Sequence, residues 1–282
     1  MSRALNVLRR LGEVKLPQRF TLLWSATTLR PLRTPGSQGA RAPRPLLLHT
    51  LQTILLVGPV LLFSVIAHEI AHGYVALLQG DRTALEAGRL SWNPVRHIDP
   101  FMTILLPLIM ILGSMAVGGP PVVLGGAKPV PVDPRNYRHL RRGDILVSLA
   151  GVATNLLVAL VCVGLIAAAG GLAHAAPSLE TTLGILQAMF VYGILLNAVL
   201  VAFNLLPIPP LDGSHVLKYL LPRPLAVRYV RFGRYGIVVL FLLLSFGQRA
   251  LDFWLSPAFN GAEHALGFVG ASILPTASQW LN

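Results

Sequence analysis

The sequence has little charge and almost no cysteine. Only 12% of its 282 residues are charged, about half the share of an average soluble domain. With 54% hydrophobic residues and a mean hydropathy of +0.65, the composition excludes an ordinary soluble domain and indicates a polytopic membrane protein. The single cysteine, Cys162, permits no intramolecular disulfide and leaves the redox compartment undetermined.

Acidic residues are also scarce, with 11 Asp and Glu against 23 Lys and Arg and a net charge of +12. Nucleic-acid-binding domains concentrate basic residues on one folded face. Here nine of the 23 basic residues lie in the first 44 residues, and most others lie in short loops between apolar runs. Membrane topology and anionic lipid explain this pattern better, so we expect the bilayer and no nucleic acid as a partner.

The composition divides the chain into three parts. Residues 1–46 are basic and lack a long apolar run, so they do not resemble a signal peptide and are predicted to be a mostly disordered tail. Residues 47–256 are predicted to form one membrane domain. Residues 257–282 lack Lys and Arg and are predicted to be a C-terminal tail on the surface or in the membrane interface.

The apolar runs predict an all-α polytopic membrane protein with about five to six transmembrane or re-entrant helices. A bilayer core of about 30 Å requires about 20 helical residues, and proline favours the first helical turn. The first spanning helix is therefore expected to run from Pro59 to Gly80, after an interfacial lead-in. The short segment 101–117 is expected to span or re-enter, and 144–170, 182–206 and 235–255 are expected to span.

A metal-binding pattern lies inside the first of these helices, at His68-Glu69-Ile70-Ala71-His72. Two histidines four residues apart share one helical face and can bind one ion, and Glu69 beside them can act as a general base. A charged side chain within a membrane helix costs about 2.5–3.5 kcal/mol, and zinc ligation offsets that cost. The alternatives are a metal-free hydrogen-bonded cluster, a haem site or a proton relay.

A catalytic zinc usually has three protein ligands, and Asp212 is the best candidate for the third. It follows an apolar run in a segment with three prolines, at 207, 209 and 210, which cannot continue a helix and is expected to be extended. Gly213 is expected to allow a close backbone approach. The alternative is that Asp212 caps the following helix. The other acidic and histidine candidates are interpreted as ordinary loop residues, with His215 as a possible partner of a ligand: Glu86, His97, Asp99, His139 and His215.

These motifs resemble those of the site-2 protease family of intramembrane zinc metalloproteases. His68 to His72 matches the first family motif, and the segment 204–213, NLLPIPPLDG, matches the second. Segments 80–84, 88–94, 97–100 and 126–132 resemble the compact bacterial and archaeal branch without a PDZ or CBS domain, so the resemblance covers roughly 58–222.

The resemblance implies a multi-pass zinc metalloendopeptidase of a prokaryotic cell membrane that cleaves membrane-anchored proteins. It implies one Zn²⁺ held by His68, His72 and Asp212, with Glu69 as the general base. Asn204 is implied to bind substrate or polarise its scissile carbonyl, although a helix-ending hydrogen bond is an equal alternative. A β element dipping into the membrane is implied near 86–94, where an extended substrate could pair.

The sequence departs from the family pattern at two places. Where the family has Gly-Pro-x-x-Asn, this chain has Gly151-Val152-Ala153-Thr154-Asn155, and Gly126 replaces a usual aromatic residue. Neither departure is expected to touch a metal ligand.

The predicted topology contains a conflict. Loops 118–143 and 207–234 are basic, which places both in the cytoplasm. Counting every apolar segment as a span then also places residues 1–46 inside. For the ligands to meet near the cytoplasmic side, however, the first helix must run from outside to inside and 101–117 must re-enter. We give the metal geometry precedence over the distribution of loop charges. The side of the membrane on which residues 1–46 lie is then undetermined.

Two other classes of protein compete with a protease: a catalytically silent membrane scaffold, and a metal or haem transporter. A scaffold would usually have lost Glu69 or a ligand, and a transporter would have more polar residues within 156–170 and 183–196. The natural substrate and the oligomeric state do not follow from the sequence.

Overall fold

The computed structural model describes residues 46–105, 109 and 126–281. Within these ranges every regular element is helical, which confirms the all-α prediction. The helices are α1 Leu46–Gln79, α2 Thr83–Glu86, α3 Leu140–Ala175, α4 Glu180–Asn204, α5 Asp212–Leu220, α6 Arg223–Phe232, α7 Gly236–Phe246, α8 Gln248–Val269 and α9 Pro275–Leu281. Single turns of other helix types occur at Pro94–His97, Pro100–Leu105, Pro134–Asn136, Pro177–Leu179, Gly233–Tyr235 and Gly270–Ser272.

Four stretches of the described chain are long and apolar enough to cross a membrane: Ile54–Gln79, Leu140–Ala175, Pro177–Asn204 and Arg223–Phe246. The predicted spans 144–170 and 182–206 each coincide with one of these candidate helices, the second of which ends at Asn204. The predicted total of five to six is not confirmed. Most of 101–117 and all but the last residue of the 1–46 tail lie outside the described residues.

The first helix begins earlier than the sequence predicted. α1 continues through Pro59 as one helix, so the stretch from Leu46 belongs to it and is not a separate lead-in. Proline removes one helical hydrogen bond, but membrane helices tolerate that loss. The predicted end is confirmed, because Gly80 has a φ of 108° that glycine adopts without steric cost.

The predicted span 235–255 is wrong as a single helix. α7 ends at Phe246 and α8 starts at Gln248, so the helix is interrupted at Gly247. The break coincides with the end of the apolar run, since Gln248, Arg249 and Asp252 follow. The 11 residues of α7 measure about 17 Å, too short to cross a bilayer core without α6.

The β element implied near 86–94 is not confirmed. Residues 86–94 include the end of α2, a turn with Gly88 at a φ of 64°, and irregular backbone before the helical turn at Pro94. The backbone N–H groups of Gly88 and Arg89 donate locally, to Leu85 and Ala84. Among the described residues, 46–105, 109 and 126–281, this segment pairs with no strand.

α3 and α4 form the central antiparallel pair, and α1 packs against both. α8 and α9 also pack against α4, so residues 257–281 pack against the membrane domain. The core between them contains Ile166, Ile194, Leu195 and Val269. Buried Gln187 also joins these elements, donating to the Ile166 and Ser272 carbonyls and accepting from the Leu274 N–H.

The end of α1 and the start of α3 lie at the same end of the bundle. The Arg138 N–H, just before α3, donates to the Gln79 carbonyl over 2.8 Å. The chain between these helices therefore leaves and returns at one end, which agrees with the topology that metal geometry favoured. α4 returns to the same end, and α5 packs there against α3.

Asp81 connects the segments at this end of the bundle through hydrogen bonds. Its carboxylate is fully buried and accepts from the Thr83 hydroxyl at 2.5 Å, the Asp133 N–H at 2.7 Å and the Asn136 amide at 2.9 Å. Burial alone would raise the pKa of Asp81, but these hydrogen bonds outweigh it and hold the pKa below its usual value. The segment before α3 is thus anchored beside the end of α1.

Candidate metal centre

The two histidines project from one face of α1, inside a candidate span. His72 and His68 lie 7 and 11 residues before the helix end at Gln79, or about 10 and 16 Å along the axis. Their ring centroids are 4.6 Å apart and the rings are nearly perpendicular, at 86°. Their Nε2 atoms lie 3.0 Å apart, as the four-residue spacing predicted.

Asp212 reaches the same point from another helix. It is the first residue of α5, where Leu211 occupies the cap position and no side chain caps the helix. Its Oδ2 lies 3.2 Å from Nε2 of His68 and 3.4 Å from Nε2 of His72. The carboxylate thus faces the histidines and does not cap α5.

The segment before Asp212 was expected to be extended. In the structure it forms a succession of tight turns instead. The Ile208 N–H donates to the Leu206 carbonyl and the Leu211 N–H to the Ile208 carbonyl, with a cis peptide between Pro209 and Pro210. The close backbone approach predicted at Gly213 is confirmed. A Cβ there would lie 2.2 Å from the Leu205 carbonyl oxygen, so no other residue fits without a shift.

These three donor atoms fit a zinc ion. Ligands bound tetrahedrally at about 2.0–2.1 Å stand about 3.3 Å from one another, and the observed separations are 3.0, 3.2 and 3.4 Å. The Asp212 Oδ2 is buried and accepts no hydrogen bond, although a buried carboxylate oxygen requires a compensating partner. Two nitrogens and one oxygen leave a fourth position open, as catalytic zinc sites do.

One face of α3 forms the wall behind these ligands. The His72 Nδ1–H donates to the Val147 carbonyl at 2.7 Å, which leaves the Nε2 lone pair pointing toward Asp212. One turn later, a Cβ on Gly151 would lie 2.6 Å from Nε2 of both histidines. Two turns later, Asn155 contacts His68. These contacts come from Gly151 and Asn155, which match the family pattern, and not from Val152, where the sequence departs from it.

Glu69 is held by a backbone donor. The Val130 N–H donates to its Oε2 at 2.8 Å. Val130 stands between Pro129 and Pro131, so it provides the only N–H of these three residues. The segment is fixed at its start, where the Lys128 N–H donates to the His97 carbonyl at 2.8 Å. Irregular backbone reaches this depth only when it is buried in protein, and Val130 is buried.

α5 is positioned by Asp144 near the start of α3. This carboxylate is 3% exposed as a residue and accepts from His215 Nδ1 at 3.2 Å and the Tyr219 hydroxyl at 2.8 Å. Lys218 forms an ion pair with it. Burial, and then the hydrogen bond to Asp144 and its charge, raise the pKa of Tyr219 to about 12. His215 therefore helps to position α5 through Asp144 and is not part of the metal cluster.

The remaining candidates lie elsewhere. Glu86 and His139 are exposed, His97 donates to the Ser91 carbonyl, and Asp99 accepts from the Phe101 N–H. Among the described residues, His68, His72 and Asp212 alone form a potential metal cluster.

Asn204 donates to the Leu200 carbonyl at 2.9 Å, in the last turn of α4. This is the helix-ending hydrogen bond that the sequence offered as one of two roles. Its predicted role in substrate binding stays a prediction.

Comparison with known proteins gives one family. The model of peptidase family M50 matches residues 58–244. YwhC of Bacillus subtilis, described as "Putative zinc metalloprotease YwhC", is 37% identical over 206 residues, which cover 73% of this chain and 86% of the relative. Rip2 of Mycobacterium tuberculosis, described as "Putative zinc metalloprotease Rip2", is 30% identical over 225 residues, covering 78% of this chain and 79% of the relative.

Rip2 of Mycolicibacterium smegmatis is 28% identical over 268 residues and covers 92% of this chain and 89% of its own length. No solved structure matches the chain significantly. The family model covers well over half of the sequence and includes both motifs that meet at the metal centre. The chain therefore belongs to peptidase family M50, the site-2 protease family of zinc metalloproteases.

Proposed function

We propose that this protein is an intramembrane zinc endopeptidase that uses His68, His72 and Asp212 as metal ligands and Glu69 as general base. The observation that carries the proposal is the convergence of three donor atoms at 3.0–3.4 Å within a candidate span. An uncompensated cluster of this kind is costly in an apolar surrounding, and a cation offsets the cost.

The residues divide the chemistry between them. When bound, zinc supplies Lewis-acid polarisation of a water molecule and of the scissile carbonyl. Glu69 takes the proton of the attacking water and passes it to the leaving amine. The Val130 N–H, at 2.8 Å from Oε2, orients the Glu69 carboxylate for both transfers. Asn204, at the end of α4, assists by binding the substrate backbone.

The substrates are membrane-anchored proteins, because the centre lies about 10–16 Å from the end of α1. A helical substrate must unwind locally before its carbonyl can be attacked, since helical carbonyls are occupied by hydrogen bonds. The exposed residues Arg138, Arg141 and Arg142 lie at the end of the bundle that holds the centre. The positive-inside rule then assigns that end to the cytoplasm, and the bacterial relatives support a prokaryotic cell membrane.

The test is Glu69→Gln in the full chain, which preserves shape but removes the base. A single-span membrane protein that the wild type cleaves serves as substrate. Cleavage should fall by about 10²–10⁴-fold, the usual contribution of a general base, while zinc remains at one ion per chain. Glu86→Gln, at an exposed acid in an ion pair with Arg82, is the matched control and should cleave normally.

The same measurements separate the rival functions. Retained cleavage in Glu69→Gln would contradict the assigned base. A wild type that binds zinc but cleaves none of a broad set of single-span proteins would favour a silent scaffold. Zinc flux into vesicles that contain the wild type would favour a transporter.

A further inference from the structure

Asn155 is placed against the metal centre in a way that the ligand set alone does not explain. It lies on α3, is fully buried, and its amide nitrogen is 3.1 Å from Nδ1 of His68. Its other polar atom, Oδ1, is buried without a hydrogen-bond partner. A buried amide in an apolar helix pair is costly unless its partners satisfy it.

The protonation of His68 determines what Asn155 can do. A neutral imidazole carries one proton, so if Nε2 binds the metal, the proton must be on Nδ1. Nδ1 then donates, and its partner must be an acceptor. Turning the Asn155 carboxamide by 180° exchanges its nitrogen and oxygen without changing its shape. The orphaned oxygen then becomes the acceptor of the Nδ1–H.

We propose that Asn155 is a positioning residue of the metal centre, whose Oδ1 accepts from Nδ1–H of His68 and holds Nε2 in the ligating tautomer. The inference rests on the proposed function, because it takes His68 as a ligand. Histidine ligands generally donate their second ring N–H to an oxygen acceptor. His72 already does so, to the Val147 carbonyl at 2.7 Å.

The positions on α3 support the same arrangement for both histidines, with an oxygen acceptor facing each Nδ1. Val147 and Asn155 stand eight residues apart, on one helical face with Gly151 between them. One ring is held by a backbone oxygen and the other by a side-chain oxygen. A carboxamide provides that oxygen without adding a negative charge to a centre that already contains Asp212 and Glu69.

The experiment measures zinc affinity of the full chain in detergent, by competition with a chromophoric chelator. Asn155→Leu keeps the approximate volume but removes the acceptor, and should weaken zinc binding by about 10–100-fold, as is typical for residues that orient a ligand. Asn155→Asp retains an acceptor and loses the donor, so it should bind zinc as tightly as the wild type or more tightly. The visible absorption bands of the Co²⁺-loaded protein should change for Leu and not for Asp.

Asn197→Leu is the matched control. Asn197 is also fully buried, donates to the Ser64 hydroxyl and the Gly193 carbonyl, and has an unpartnered oxygen. Its loss should lower stability without changing zinc affinity.

Two results would overturn the inference. One is weakened zinc binding in Asn155→Asp, which would show that the amide donates; this variant decides the question even if Asn155→Leu does not fold. The other is unchanged zinc affinity in Asn155→Leu. A wild type that binds no zinc would instead remove the proposed metal ligands, so the two failures are distinguishable.

Discussion

Replacing Gly151 with alanine tests whether α3 leaves room for an ion. The added Cβ would lie 2.6 Å from Nε2 of His68 and 2.6 Å from Nε2 of His72. Ordinary contact begins at 3.4 Å, so the shortfall is 3.4 − 2.6, or about 0.8 Å. Zinc sites keep ligand distances within about 0.2 Å of their preferred values, and a displacement of this size cannot be absorbed.

The magnitude follows from the cost of overpacking. Forcing an extra methyl group into a packed site costs about 1–3 kcal/mol. Since 1.4 kcal/mol corresponds to a tenfold change in affinity, zinc binding should weaken by about 5- to 150-fold. The His72 ring cannot rotate away freely, because its Nδ1–H is bound to the Val147 carbonyl.

Gly164→Ala is the matched control, on the same helix α3 and with nothing within 4 Å of the added Cβ. Both substitutions improve intrinsic helix propensity by about 0.5–1 kcal/mol, so a difference between them reports the metal centre. The assay is zinc affinity by chelator competition, with thermal unfolding to confirm that both variants fold. Equal zinc affinity in wild type, Gly151→Ala and Gly164→Ala would refute the placement of the ion beside α3.

Two other segments make independent predictions. Val130→Pro removes the N–H that binds Glu69 and should lower kcat by at least about tenfold, with KM and zinc content unchanged. Val130→Ala retains the N–H and should lower kcat less. Equal effects of the two substitutions on kcat would contradict the role of the backbone N–H. Asp81 has a lowered folded-state pKa, so its stabilisation is present at neutral pH and is lost as the pH falls below the ordinary carboxyl value and through the lowered one. Asp81→Asn should therefore destabilise the protein by about 1–3 kcal/mol at pH 7 and flatten the decrease in melting temperature between pH 7 and pH 3; an unchanged pH dependence would contradict this.

The parts of the centre that the sequence predicted depend on local geometry. The spacing of His68 and His72 is fixed by the α-helix, so one face and one ion follow from the sequence alone. Asp212 was predictable because an acidic residue in an apolar, proline-rich segment requires an explanation. The family match covers both segments.

The role of α3 was not predictable because it depends on how α1 and α3 pair. Gly151 and Asn155 both match the Gly-Pro-x-x-Asn pattern of the family, but that pattern does not specify which helix they face. Their position beside the histidines follows only from the structure. A four-residue repeat of small or polar positions on one face of an apolar helix is the signal that could have indicated it.

The errors in helix boundaries have a similar origin. The prediction of one span over 235–255 read across Gln248, Arg249 and Asp252, whereas the helix ends with the apolar run and Gly247 separates α7 from α8. At Pro59, a local rule predicted a helix start, whereas α1 continues through the proline. The implied β element near 86–94 came from the family resemblance and depends on long-range pairing that a single sequence does not specify.

The most direct test of the central claim is an anomalous difference map at the zinc absorption edge, from crystals of the full-length Glu69→Gln protein. We expect a single strong peak about 2.0–2.2 Å from Nε2 of His68, Nε2 of His72 and an oxygen of Asp212. A strong peak at any other site, or no peak between these three residues when the same preparation contains one zinc per chain, would contradict it.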